Sequence, residues 1–316
     1  MIERISVIGA GTMGHGVAMT FALAGYGVKL YEASEAVRAS VPGRIHDGFS
    51  FLLDEGFIQK QQMDGAISRI LICDDLGTAV GDAEFVLECV SEDIAVKKRL
   101  FASLDALCPS YSVIASNTSS LSLSEITSEL SDARKAMTMM CHWYNPPFLI
   151  PIAELSFFGN MDERIFDEVY KLHIRAGKQP IKVLKDIPGL VANRILHAMA
   201  REVFHLMEIG AATAEDIDKA LKFGPGFRAA TTGLLETADM GGLDIWCAAE
   251  DNLLKELDNS AAACDYLRES VNSGRLGVKS GEGFFSYPGD TKTAVVNAFN
   301  KRLLTQLKAS KTYQTP

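Results

Sequence analysis

A glycine-rich turn near the start of the chain, Gly9-Ala10-Gly11-Thr12-Met13-Gly14, constrains the fold more than any other segment. Glycines at this spacing arise readily by chance, so their surroundings decide what they mean. Here the turn follows a short β-rich run, Ile5-Ser6-Val7-Ile8, and precedes small and apolar residues from Val17 to Ala24 that suit a buried helix. A second run, Val28-Lys29-Leu30-Tyr31, then ends on Glu32. Strand, turn, helix and strand complete a β-α-β unit. In such a unit Gly9 permits the tight turn, Gly11 admits a pyrophosphate close to the backbone, and Gly14 lets helix pack on strand. Thr12 and Met13 belong to the same cofactor-binding turn, at the helix N-terminus. Glu32 is placed to accept hydrogen bonds from an adenosine ribose, and its charge repels a 2′-phosphate, which favours NAD over NADP.

Further β-rich runs are Ile70 to Cys73, Phe85 to Cys89, Val113 to Ala115, Lys135 to Met140, Leu149 to Leu155 and Ile181 to Leu184, with a helical stretch from Val96 to Leu107. Between about Arg38 and Arg69 the apolar residues Phe49, Leu52, Leu53 and Phe57 recur at helical spacing, with a break near Gly56, which gives a helical hairpin. The alternation predicts an α/β, Rossmann-like doubly wound sheet carrying an inserted helical hairpin. Beyond Asp186-Ile187-Pro188-Gly189 only helical patterns occur, so the expected domains are residues 1–187, binding NAD, and an all-α C-terminal half, residues 188–316.

Composition narrows the function. The chain has 316 residues, 47% of them apolar, and a formal net charge of −9, which argues against bulk attraction to nucleic acid or anionic lipid. No apolar run approaches the roughly 18 residues of a membrane span, so a soluble, cytoplasmic protein is expected. The 6 cysteines are scattered without a CxxC pair, and no metal site is expected.

The second informative segment is Cys141-His142-Trp143-Tyr144-Asn145-Pro146-Pro147, a polar cluster after an apolar strand, with Glu154 further on in an apolar run. A histidine takes a proton from an alcohol near neutral pH, and a partly buried carboxylate fixes its tautomer and stabilises the imidazolium. Taken alone, the same residues equally fit a hydrogen-bonded core histidine and an unrelated glutamate.

Four motifs together carry a resemblance: Gly9 to Gly14, Ser116-Asn117-Thr118-Ser119-Ser120-Leu121, His142 with Asn145-Pro146 and Glu154, and Asp186 to Arg194. In this order they resemble the L-3-hydroxyacyl-CoA dehydrogenase family from residue 1 to about Tyr287. The resemblance implies NAD-dependent, reversible oxidation of the 3-hydroxyl of an L-3-hydroxyacyl-CoA. It makes His142 the general base, Glu154 its partner, and Ser119 and Asn193 the residues that hold the substrate oxygen, with Asn145 beside the substrate. It places Glu92, Lys97 and Asn117 near the nicotinamide, gives the hairpin the role of covering acyl-CoA, with Lys60 either the nearest candidate for a CoA phosphate or an ordinary exposed lysine, and implies a homodimer.

The chain departs from that pattern at Gly224-Pro225-Gly226-Phe227-Arg228 through Glu236, where the loop is longer, and at Asn145-Pro146-Pro147. Both features look closer to relatives that oxidise free 3-hydroxy acids, such as L-gulonate and carnitine dehydrogenases. Arg228 then has two readings: a clamp on a substrate carboxylate, whose geometry matches guanidinium, or a surface arginine or interdomain ion pair. A small-molecule substrate, as CoA ester or free acid, is expected either way; a protein that binds NAD without turnover is the third alternative.

Overall fold

The protein, described here from a computed structural model covering residues 2–289 and 292–313, falls into two compact units, Met1–Arg194 and Ile195–Pro316. The first holds eight strands: β1 Arg4–Ile8, β2 Gly27–Tyr31, β3 Ile70–Cys73, β4 Phe85–Glu88, β5 Val113–Ser116, β6 Thr138–Trp143, β7 Ile152–Ser156 and β8 Gln179–Val183. They form one sheet in the order β3-β2-β1-β4-β5-β6-β7-β8, parallel throughout except that β7 runs antiparallel to β6. Its helices are α1 Gly14–Leu23, α2 Glu35–Asp54, α3 Lys60–Ser68, α4 Leu76–Val80, α5 Ile94–Leu107, α6 Leu123–Ile126, α7 Asp132–Lys135 and α8 Glu163–Arg175. The Rossmann-like sheet and the hairpin of α2 and α3 are those expected from the sequence.

Small residues let α1 lie directly on the sheet. A Cβ at Gly14 would stand 1.7 Å from the Gly9 carbonyl oxygen, and one at Gly9, where φ is +94°, 2.8 Å from the Cys89 carbonyl oxygen. Alternation along the strands then sorts side chains into two faces. Val86 joins Phe101, Leu104 and Ile114 in a core on one face. Phe85 meets Phe21 on the other, where Phe21 also packs on Trp143 and His173.

Two expected strands are displaced. The run from Lys135 to Met140 begins its strand only at Thr138, because Ser131 caps α7 and Arg134 turns inward to Asp105 (2.7 Å) and neighbouring carbonyls. The strand expected from Leu149 starts at Ile152, because the amides of Leu149 and Ile150 both turn back to the Pro146 carbonyl. Helix α8 went unread, although Phe166, Val169, Leu172 and His173 recur on its buried face and Asp162 caps it.

The first unit extends past the Asp186–Gly189 break because the amides of Val191 and Ala192 bond to a side chain on β7. Helix α9, Ala192–Glu208, starts there. The second unit continues with α10 Ala214–Phe223, α11 Pro225–Ala229, α12 Leu234–Gly241, α13 Leu243–Leu253, α14 Asp265–Asn272 and α15 Lys292–Ser310. Phe204 and Tyr266 stack on Phe284 within it. Among the described residues no helix is long and apolar enough to cross a membrane, and no group of three His, Cys, Asp or Glu could hold a metal.

Candidate active site

The antiparallel pairing of β6 with β7 sets His142 directly opposite Glu154. Directly opposed residues share one face of a sheet, so twelve residues of sequence separation become a contact: His142 Nδ1 lies 2.8 Å from Glu154 Oε2. Both are buried. The other carboxylate oxygen accepts from the amides of Val191 and Ala192, each at 2.9 Å. Burial alone would raise the Glu154 carboxyl, but the bonds from His142 and these two amides outweigh it and hold the group below the usual carboxylate range. An ionised Glu154 keeps the imidazole proton on Nδ1, which leaves Nε2 as the basic nitrogen. Trp143, next along the strand, points to the opposite face, where Lys178 lies 3.9 Å from the centre of its ring. The Lys178 ammonium donates to the carbonyls of Pro147 and Ile150 and so pins the loop that follows the histidine. Cys141 contacts His173 beneath the same face, but burial pushes the thiol up to about 12 and the imidazole down to about 4, so the pair is neutral and not a nucleophile.

The loop after β5 approaches the same strand end. Asn117 Oδ1 accepts from the Trp143 amide at 2.8 Å. Glu92 holds the loop itself: one carboxylate oxygen accepts from the amides of Ser119 and Ser120 (3.0 Å each), the Ser120 hydroxyl (2.8 Å) and the Thr118 hydroxyl. Ser119 is exposed there. Lys97 is not an open cation. It is buried, 2.6 Å from Glu88 and 3.4 Å from Glu92. Glu88, which sequence reasoning missed, is itself buried and also accepts from Ser116 Oγ at 2.6 Å. Nothing in its local sequence marks it, since it reads as the end of an apolar strand.

Asn193 opens α9, and its Oδ1 is 2.5 Å from the Tyr144 hydroxyl. Asn145 is exposed in the turn after β6. Arg228 lies exposed on α11 in the second unit.

The glycine turn fits a dinucleotide. No side chain caps α1 and no acidic residue sits in its first turn, so its free amides face outward with the positive end of the helix dipole. Nothing lies within 4 Å of a Cβ built at Gly11. The chain's own packing therefore does not require that glycine, whereas it does require Gly14. Glu32 accepts from the Ala10 amide at 2.8 Å and the Ser34 amide at 2.9 Å, which sets its carboxylate beside the turn. Arg44, another residue the sequence did not reveal, reaches over from α2 to the carbonyls of Ala10 and Gly11. Gly11→Ala is expected to leave the thermal unfolding midpoint near wild type and to weaken NADH binding at least tenfold, read by NADH fluorescence titration.

Comparison with known proteins agrees with this geometry. Residues 4–187 match the model of the 3-hydroxyacyl-CoA dehydrogenase NAD binding domain, and residues 189–287 that of the 3-hydroxyacyl-CoA dehydrogenase C-terminal domain. The chain belongs to the 3-hydroxyacyl-CoA dehydrogenase family. It is accordingly an NAD-dependent oxidoreductase. Two family relatives differ in what they act on. The 5-formyl-3-hydroxy-2-methylpyridine 4-carboxylate 5-dehydrogenase of Mesorhizobium japonicum is 32% identical, covering 92% of this chain and 93% of that one. A probable 3-hydroxybutyryl-CoA dehydrogenase of Bacillus subtilis is 34% identical, covering 92% and 99%. Among solved structures, the NAD-dependent 5-formyl-3-hydroxy-2-methylpyridine 4-carboxylic acid 5-dehydrogenase superposes with a TM-score of 0.87 at 30% identity, covering 96% and 97% of the two chains. The (S)-3-hydroxybutyryl-CoA dehydrogenase of Ralstonia eutropha gives 0.73 at 29%, covering 92% and 100%.

Proposed function

We propose that this family member oxidises the hydroxyl carbon of a small free carboxylic acid, reversibly, and does not depend on a CoA thioester. The observation that carries this is the state of the cations on the α2–α3 hairpin. Residues 35–68 contain three, Arg38, Arg44 and Lys60, against five carboxylates. Arg38 donates to the carbonyls of Glu32 and Ala33, Arg44 to those of Ala10 and Gly11, and Lys60 pairs with Asp64 at 2.7 Å. A CoA moiety carries several phosphate charges, whose recognition calls for cations aimed at them; these are aimed elsewhere. The higher structural similarity to a dehydrogenase of a free pyridine acid supports the same reading. Arg228, exposed on α11, is the proposed partner of the substrate carboxylate.

NAD, when bound, supplies the hydride acceptor. His142 Nε2 takes the hydroxyl proton as the C–H hydride leaves the same carbon, so that an alcohol becomes a carbonyl. Glu154 holds the Nδ1 proton in place and stabilises the resulting imidazolium. Asn193 and Ser119 hold the reacting oxygen, as the family resemblance implies, and Glu92, Lys97 and Asn117 order the loop on the nicotinamide side. Calorimetric titration of CoA into the NADH-loaded protein tests the substrate class. No saturable heat is expected; saturable binding below the millimolar range that weakens in Lys60→Ala would reverse the proposal.

The same proposal includes a homodimer. Phe227, Leu235 and Met240 in the helical unit are large apolar side chains 71%, 85% and 82% exposed, the kind of surface that a partner covers where it is contiguous. A second copy covering that unit accounts for it, and gel filtration at the mass of two chains is the expected result.

A further inference from the structure

Tyr144 follows the end of β6 two positions after His142, so the alternation of the strand carries both side chains to one face. Their rings meet edge to face with centroids 5.3 Å apart. The Tyr144 hydroxyl, 2.5 Å from Asn193 Oδ1, ties the strand end that bears the base to the first turn of α9. Glu154 makes the parallel link through Val191 and Ala192, so the base and Asn193 are braced by two independent ties. Burial and the charge of Glu154 push the phenol up to about 12, which keeps it a hydrogen-bond donor across the working pH range. A carboxamide gripped by its oxygen has one orientation left, with both Nδ2 protons directed away from the grip. Asn193 Nδ2 has no hydrogen-bond partner among the described residues.

We propose that Tyr144 is a positioning residue for the hydride-transfer reaction: its hydroxyl locks the Asn193 carboxamide so that the Nδ2 donors stay turned out for the substrate oxygen. This rests on the functional reading above, in which Asn193 holds that oxygen. Without the hydroxyl the ring contact with His142 remains, but the carboxamide is free to rotate and to offer its oxygen, a second acceptor, to a substrate oxygen that needs a donor.

The test is a double-mutant cycle on the full chain with Tyr144→Phe, Asn193→Ala and the pair. The probes are L-3-hydroxybutyryl-CoA, free L-3-hydroxybutyrate, L-gulonate and carnitine, with kcat and KM taken on whichever the wild type oxidises. Tyr144→Phe is expected to lower kcat about tenfold, the scale of one oriented hydrogen bond, with NADH affinity and the acid limb of the kcat/KM pH profile unmoved. In the Asn193→Ala background the same change is expected to have no further effect. Wild-type kcat in Tyr144→Phe, losses that multiply in the double variant, or a displaced acid limb would each overturn the proposal. If the wild type oxidises none of the probes, it is the functional reading that fails; the unfolding midpoints of the same four proteins then decide, and a Tyr144→Phe loss undiminished in the Asn193→Ala background overturns the coupling.

Discussion

Replacing His142 by Gln is expected to lower kcat by about 10²–10⁴-fold, the contribution of a well-placed general base. The glutamine fills a similar volume on β6 and offers Glu154 an N–H, so the sheet and the carboxylate remain satisfied. The glycine turn, the free N-terminus of α1 and Glu32 are untouched, and NADH affinity should stay within about twofold of wild type. A loss confined to kcat separates proton transfer from cofactor binding. Turnover close to wild type would remove His142 from the mechanism, and lost NADH binding would show that the substitution had damaged the fold instead.

The second large effect is expected at Glu154→Gln. The carboxylate has three donors pointing at it, one imidazole and two amides, and its two oxygens accept all of them. A carboxamide has one oxygen. If that oxygen serves the Val191 and Ala192 amides, which cannot turn away, the new NH₂ faces His142 Nδ1 and forces the imidazole proton onto Nε2. The ring is then in place but in the wrong tautomer, with no lone pair for the substrate hydroxyl. We expect kcat to fall by about 10²–10⁴-fold, on the scale of losing the base itself, while the protein remains folded and binds NADH. Glu154→Ala should behave differently. It leaves a buried imidazole N–H and two half-buried amides without their acceptor, at a cost of roughly 1–3 kcal/mol for a buried unsatisfied group and less for amides that water can reach, so its unfolding midpoint should drop below that of Glu154→Gln. Similar midpoints for the two variants would argue that Glu154 does not anchor the start of α9.

How much of this was legible in the sequence follows from how local each feature is. The β1–α1–β2 unit was readable because its signals are contiguous: strand, glycines, small-residue helix and a terminal Glu32 within one short stretch. The hairpin was readable from helical spacing. The His142–Glu154 contact was visible only as a spacing and a resemblance, since nothing in the residues themselves announces that β7 turns back antiparallel to β6 and brings the two into register. Long-range polar contacts were not legible at all. Arg44 reaches the carbonyls of Ala10 and Gly11 from the next helix, and Lys97 is spent on Glu88 and Glu92. A charged residue carries no periodicity that tells whether it faces water, a ligand or a buried partner, so nothing in the sequence showed that Lys97, expected near the nicotinamide, is buried against Glu88 and Glu92. Against the net charge of −9, the uncapped amides of α1 and the exposed Arg228 are local features that favour anions.

Initial rates of NADH formation by the wild-type protein, measured side by side with L-3-hydroxybutyryl-CoA and with free 3-hydroxy acids including L-3-hydroxybutyrate, L-gulonate and carnitine, decide between a thioester and a free acid as substrate. The kcat/KM for at least one free acid is expected to exceed that for the thioester, and His142→Gln to lower turnover of both by about 10²–10⁴-fold. A thioester oxidised with the higher kcat/KM would contradict the free-acid proposal.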